Sequence, residues 1–173
     1  MNSKMTLQES YDCFNHWLEK HPGILHHVAN AFASPQDRDD LMQELLLAVW
    51  KAVPFYRGQS KPSTFLYRVS HNAALVWHRS QRSHARRMQR AQADAMAAPH
   101  PSRDPPTDER LQQLYAAIRE LPEVDRSLIL LSLDGLSYQE MADILGLSSS
   151  NIGVRLNRIK QRLSQRLNKG EPL

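Results

Sequence analysis

Cysteine occurs once in the 173 residues, at Cys13, so no internal disulfide can form. Nor do cysteine and histidine cluster with the spacing of a structural zinc site. A reducing compartment, the cytoplasm, is the expected setting. Glycine is scarce at 6, and Ile, Val and Thr together number 16 against 39 for Leu and Ala, so the backbone preference is helical. No apolar run approaches the roughly 20 residues of a membrane span. The opening stretch from Met1 to Lys20 carries Asp12, His16 and Glu19 in place of an apolar signal core. A spanning segment and a secretory signal are therefore not expected.

The most informative absence is of one charge sign. Between Leu45 and Ala93 there is no acidic residue, while Lys51, Arg57, Lys61, Arg68, Arg79, Arg82, Arg86, Arg87 and Arg90 supply nine cations. Between Ser148 and Lys169 the same holds, with Arg155, Arg158, Lys160, Arg162, Arg166 and Lys169. Fifteen of the 22 basic residues thus lie in two acid-free blocks, although the net charge is only +4. Solvated helix faces usually interleave both signs, to gain pairings three or four residues apart. Two separate contacts with a polyanion explain the segregation better, and nucleic acid is the expected partner.

Four prolines in Ala97 to Pro106 mark a linker, because each removes an amide donor and disfavours α geometry in the residue before it. The expected fold is all-α, with two small helical bundles at 1–96 and 107–173 joined by this Pro-rich linker at 97–106.

In the first bundle Ser34-Pro35-Gln36-Asp37 has the chemistry of a helix start. Leu41, Met42, Leu45, Leu46, Val49 and Val53 then recur at helical spacing, and Pro54 ends the pattern. The opposite stripe, Asp40, Gln43, Glu44, Leu47 and Lys51, is acidic and amide-bearing with one leucine. It reads either as a partner surface or as a merely wet face. A polar loop with Gly58 and Pro62 as breakers follows. A second helix, from about Ser63 to Ser80, continues into an Arg-rich stretch, with or without a bend. Its Tyr67, Arg68, Asn72 and Arg79 could stack on unpaired bases and neutralise phosphates, whereas Phe65 and Trp77 are assigned mostly to packing.

In the second bundle, helices are expected over Thr107 to Leu121 and from Pro122 to about Gly135. Ser137 and Glu140 form a capping box, Gly146 suits a left-handed C-cap, and Ser148 suits the next N-cap. The last helix puts Ile152, Leu156, Ile159, Leu163 and Leu167 on one stripe and Asn151, Val154, Arg155, Asn157, Arg158 and Gln161 elsewhere. A short helix, a glycine turn and a helix with a basic, acid-free outer side make a helix-turn-helix, and DNA is its expected ligand.

Taken together, both blocks resemble a bacterial sigma factor of the extracytoplasmic-function group, the minimal two-domain kind within the sigma-70 family. The resemblance rests on Asp39-Asp40-Leu41-Met42-Gln43-Glu44-Leu45-Leu46-Leu47-Ala48-Val49-Trp50, on Tyr56 to Val69 with Asn72, Ala74 and Arg79, on Leu121 to Ser148, and on Ile152 to Leu163. It spans about Tyr11 to Leu167. What it implies is transcription initiation rather than catalysis, with no cofactor, no metal and no small-molecule substrate. Core RNA polymerase would be held by Asp40, Leu41, Gln43, Glu44, Leu47 and Trp50. The melted −10 strand would meet Tyr56, Arg57, Gly58, Gln59, Ser60, Lys61, Tyr67, Asn72, Arg79 and Arg82, with Arg86 and Arg87 on nearby phosphates. The −35 duplex would meet Ser149, Ser150, Asn151, Val154, Arg155 and Arg158. The family analogy also implies a chain that is monomeric when free, and an anti-sigma partner able to hold it at the membrane. Three departures stand out. Pro62 sits in the loop where many members have an aromatic or apolar residue. Phe65 replaces the usual tryptophan, and Gly153 sits where the family often has a basic residue, at a helix-interior cost of about 1 kcal/mol relative to alanine.

The rival reading is a helix-turn-helix regulator that binds DNA without polymerase, which would leave the Gly58 to Ser63 loop unexplained. An enzyme or metal protein would have to use Cys13 with His16 or His71 with His78, and no carboxylate joins either pair. A redox role for the lone Cys13 has no resolving thiol to support it.

Overall fold

The computed structural model describes residues 5–91 and 109–168, and among these there is no strand. The linker expected at 97–106 lies outside the described residues, as do the side chains of Arg86 and Arg87. Helices α1 (Leu7–Lys20), α2 (Pro22–Phe32), α3 (Arg38–Ala52) and α4 (Pro62–Ala91) build the first half. Helices α5 (Glu109–Arg119), α6 (Glu123–Leu133), α7 (Tyr138–Leu145) and α8 (Ser149–Asn168) build the second.

Local chemistry sets most of the ends. Thr6 and Glu9 form a reciprocal capping box that starts α1. Pro35 opens not α3 itself but a single 3-10 turn, Pro35–Asp37, which leads into it. There the Ser34 hydroxyl donates to the Asp37 carboxylate at 2.6 Å instead of accepting from a backbone amide. A second 3-10 turn, Val53–Phe55, closes α3 at Pro54. The second helix and the Arg-rich stretch into which it was expected to continue form one helix to Ala91, about 45 Å long at the usual rise.

The inward stripe of α3, Leu41, Leu45 and Val49, is fully buried against Leu25, Val28 and Phe32 of α2 and Leu66 and Ala74 of α4. In the second half Leu128 and Leu131 of α6, Met141 of α7 and Ile152, Leu156 and Ile159 of α8 form the corresponding core. An eight-residue helix such as α7 is marginal by itself. It is held by the Ser137–Glu140 capping box, by Gly146 at φ 68°, and by Ile152, which is completely buried. Only glycine takes that left-handed conformation without strain.

The two bundles do not stand apart. Helix α2 packs on α5 and α6, helix α4 packs on α7, and the buried apolar residues form a single cluster through both halves. This docking decides which of the basic side chains reach the surface.

Candidate nucleic-acid interface

On α3, burial of the Leu41 stripe forces Asp40, Gln43, Glu44 and Leu47 outward, and Leu47 is 48% exposed. Between this face and α4 runs an open groove of about 600 Å³, lined on the far side by Asn72, Val76 and Trp77. Trp50 is half-buried and clasped edge-on by Tyr11 and Phe14, with ring centroids at 6.4 and 5.4 Å. Leu41, expected at the polymerase contact, is corrected here. Its side chain is 0% exposed, being one turn from Leu45 on the core stripe, so it supports the face from beneath and cannot touch a partner.

The loop before α4 is shaped by aromatic packing. The rings of Trp17, Tyr56 and Phe65 meet edge-on at 4.8 to 5.7 Å, and the Tyr56 hydroxyl donates to the Ser60 carbonyl at 2.5 Å. Tyr56 is thereby the loop's anchor. Gly58 turns the chain at φ 70°, leaving Arg57, Gly58, Gln59 and Lys61 exposed and Ser60 half-buried. Along α4, Asn72, Arg79 and Arg82 are exposed. Tyr67, expected on that surface, is 3% exposed and donates its hydroxyl to Asp134 at the end of α6. Burial first, then the carboxylate, pushes its pKa far up. In this closed arrangement Tyr67 belongs to the interface between the bundles and is unavailable to DNA.

The α8 surface presents Ser150, Asn151, Val154 and Arg158, with Val154 55% exposed. Ser149 is half-buried and its hydroxyl donates to Gln139 of α7 at 3.3 Å. Arg155 is half-buried, its Nε and Nη2 donating to Asp125 of α6 at 3.0 and 2.9 Å. The guanidinium lines a cleft with Asn151, Arg158 and Arg162, so one edge is fixed by the carboxylate.

Gly153 has a structural explanation. A Cβ there would meet Cε2 of the Tyr138 ring at 3.3 Å, so the missing side chain makes room for an aromatic of the preceding helix. Tyr138 is 50% exposed and can yield by the few tenths of an ångström required. Gly153→Ala is therefore expected to stabilise the fold by up to about 1 kcal/mol of helix propensity, read as a higher thermal midpoint, and to leave affinity for duplex DNA unchanged. A lower midpoint would show that the ring cannot move.

Several partners of the basic residues were missed in the sequence. Glu123, Asp134 and Glu140, all from the second bundle, reach across to the first. The Lys61 Nζ donates to Glu140 at 2.9 Å, and this bond, with the amide and hydroxyl of Ser137, pulls the Glu140 pKa down to about 2. His27 Nδ1 lies 2.7 Å from Asp134, which raises its pKa, and His78 Nδ1 lies 3.1 Å from Glu123. His71 is buried, 2.8 Å from the Ser127 hydroxyl, and burial depresses it to about 4. The one available signal was the contrast between acid-free blocks and the acid-bearing stretch separating them.

The histidines thus serve the interface. No group of three or more His, Cys, Asp or Glu among the described residues could hold a metal. Burial raises the Cys13 thiol and makes it less reactive. No described helix is long and apolar enough to cross a membrane.

Family models match both halves of the chain. The family model for sigma-70 region 2 matches residues 17–84, and that for sigma-70 region 4 matches residues 111–163. The chain is 28% identical over 159 residues to the ECF RNA polymerase sigma-E factor of Escherichia coli, covering 84% of this chain and 80% of that protein. It is also 28% identical over 177 residues to the ECF RNA polymerase sigma factor SigE of Mycolicibacterium smegmatis, covering 94% and 64%. Its fold matches the sigma factor RpoE solved with the anti-sigma factor NepR from Bartonella quintana, with TM-score 0.67, 24% identity and 92% and 98% coverage. A second match is CnrH solved with the cytosolic domain of CnrY, with TM-score 0.62, 22% identity and 91% and 89% coverage. With the exposed α3 face and the basic α4 surface inside the region 2 match, and the helix-turn-helix inside the region 4 match, the chain belongs to the sigma-70 family of RNA polymerase sigma factors, in its extracytoplasmic-function group.

Proposed function

We propose that this sigma factor binds core RNA polymerase through Asp40, Gln43, Glu44 and Leu47, with Trp50 stiffening the end of that face, and then reads promoter DNA with two separate surfaces. The observation that carries this is the exposed acidic and apolar face of α3 lying beside a basic α4 on one rigid bundle. The proposed division places polymerase binding and −10 melting in 1–96, a linker in 97–106, and −35 recognition in 107–173. Arg57, Gly58, Gln59, Ser60 and Lys61 form the exposed edge that captures an unstacked −10 base, at a cost of a few kcal/mol that is smaller where strands already part. Asn72, Arg79 and Arg82 continue that track on phosphates. On the duplex, Ser150, Asn151, Val154 and Arg158 enter the major groove with the edge of Arg155 left over from Asp125, and Ser149 supports the helix start.

Neither surface brings together groups for bond chemistry, so the factor acts by binding and the polymerase makes the RNA. Because the sigma factor RpoE that it resembles was solved with the anti-sigma factor NepR, an anti-sigma protein is the proposed regulator. The factor works in the cytoplasm as a monomer when free, and that partner is the means by which it would be held at a membrane. A regulator that ignores polymerase is less favoured, since it has no use for the α3 face.

Size-exclusion co-elution with bacterial core polymerase, followed by run-off transcription on a genomic library, tests this. New start sites sharing −35 and −10 elements are expected. Asp40→Lys/Glu44→Lys should weaken core binding at least tenfold, since each reversal places a cation where the face offers a carboxylate. The same variant should keep its affinity for −35 duplex. Parallel loss of both would mean misfolding, and intact core binding would overturn the assignment of the face.

A further inference from the structure

The α8 face that the proposed function gives to duplex DNA has an acid beside it. Asn151, Arg155, Arg158 and Arg162 follow one another at helical spacing, and with Asp125 from the first turn of α6 they line a cleft of about 270 Å³. The Asp125 side chain is only 17% exposed. Its Oδ1 accepts from both Nε and Nη2 of Arg155, at 3.0 and 2.9 Å. Those two nitrogens form one side of the planar fork, so the outer edge, Nη1 with the second hydrogen of Nη2, faces away from the carboxylate. A carboxylate here also repels the phosphates that Arg158 and Arg162 attract. Its place in the cleft therefore costs affinity for DNA, and what it provides instead is a fixed arginine. A phosphate accepts from many directions and gains little from a fixed donor. The O6 and N7 of guanine lie in one plane and require a matched pair of donors, while adenine turns a donor toward the same position.

We propose that Asp125 is a positioning residue for −35 recognition, locking Arg155 so that its outer edge reads a guanine in the major groove. The inference rests on the proposed function and names how the same site selects sequence. Arg155 lies in the second turn of α8, in the N-terminal part of a recognition helix that meets base edges. An arginine free to rotate would settle on a phosphate as readily as on a base, and phosphate contacts carry no sequence information. Held by Asp125, the side chain has less freedom to lose on contact, and the carboxylate's own charge keeps it off the phosphates. Discrimination rises while raw affinity falls.

The test uses the full chain and the fluorescein-labelled −35 duplex of a promoter that it transcribes with core polymerase. Each guanine is replaced in turn by 7-deazaguanine, which pairs normally but lacks N7, and binding is read by anisotropy. At one position the parent chain should lose about tenfold in affinity, as expected for a bond from a charged donor. Asp125→Ala should bind unrelated duplex more tightly, because a carboxylate has left the face, yet lose most of its discrimination at that guanine. Asp125→Asn removes the same charge but keeps Oδ1, and should retain part of the discrimination. An acid in the first turn of α6 also suits the helix dipole, but that role, like net charge, would not separate asparagine from alanine. With Arg155→Ala in place, adding Asp125→Ala should change discrimination no further. Equal discrimination in the parent and Asp125→Ala overturns the proposal, as does indifference of the parent to every 7-deazaguanine. So does an effect of Asp125→Ala that persists without Arg155. Should Asp125→Ala fail to unfold in one transition, the comparison of Asp125→Asn with the parent decides. If no promoter is transcribed, the sigma-factor reading fails, and the same comparison is made on a duplex selected from random sequence by the free chain.

Discussion

Arg126→Ala should lower the free energy of unfolding by about 3 kcal/mol, as expected when one partner of a buried charged network is removed. The residue is only 5% exposed, although its side chain carries a permanent charge. Its guanidinium donates to the carbonyls of Arg119 and Leu121, the acceptors that α5 leaves unpaired as it ends. It also sits 5.0 Å from the centre of the Phe32 ring, on the opposite bundle. Alanine strands two carbonyls, removes the cation over the ring and opens a void at the junction of α2, α5 and α6. Arg126→Met keeps the aliphatic stem and should recover the packing part of the loss. Arg126→Lys keeps the charge but cannot span both carbonyls, and should fall between the parent and alanine. Urea denaturation of the three variants checks the order. A cost below 1 kcal/mol for alanine would mean that water replaces both bonds.

How much of this was legible beforehand depends on whether the cause was local. The Ser137–Glu140 box, Gly146 and Ile152 each act within a few residues, and the helix-turn-helix could be read directly from them. The Thr6–Glu9 box was equally available as Thr-x-x-Glu, yet α1 and α2 were not assigned from it. Leu41 was ambiguous because it satisfied two readings, the core stripe with Leu45 and Val49 and the likeness to a polymerase-binding helix. Packing decides for the stripe. Tyr67 and His71 could not be resolved at all from one chain. Periodicity says that a face is apolar or polar, whereas what covers that face comes from a segment sixty residues away. Arg155 shows the same limit, since nothing near it in sequence announces Asp125.

The interface should also respond to acid, through His71. The ring lies 6.1 Å from the Phe32 ring of α2 and against the Ser127 hydroxyl of α6, with the Glu123 carboxylate the nearest counter-charge. At 8% exposure the imidazolium is poorly solvated, so burial holds the pKa at about 4 against 6.5 in water, and only the weaker pull of Glu123 opposes that. A depressed histidine stabilises the folded, docked form while it is neutral. Its contribution is complete above 6.5 and is lost as pH falls toward 4, a change on the order of 3 kcal/mol. His27 has the opposite sign. The bond to Asp134 raises its pKa, so protonation favours docking, and that contribution is present below 6.5 and fades as pH climbs through the raised value. His27 is half-exposed and its effect is correspondingly screened. Stability should therefore be greatest around pH 6.5 to 7 and fall steeply on the acid side. In His71→Phe the acid limb should flatten, and Ser127 remains satisfied because its hydroxyl can donate to the Glu123 carbonyl at 3.0 Å. Urea midpoints measured across the range from pH 4 to 8 read this out. An acid limb equally steep in His71→Phe would mean that this ring does not carry the acid sensitivity of the interface.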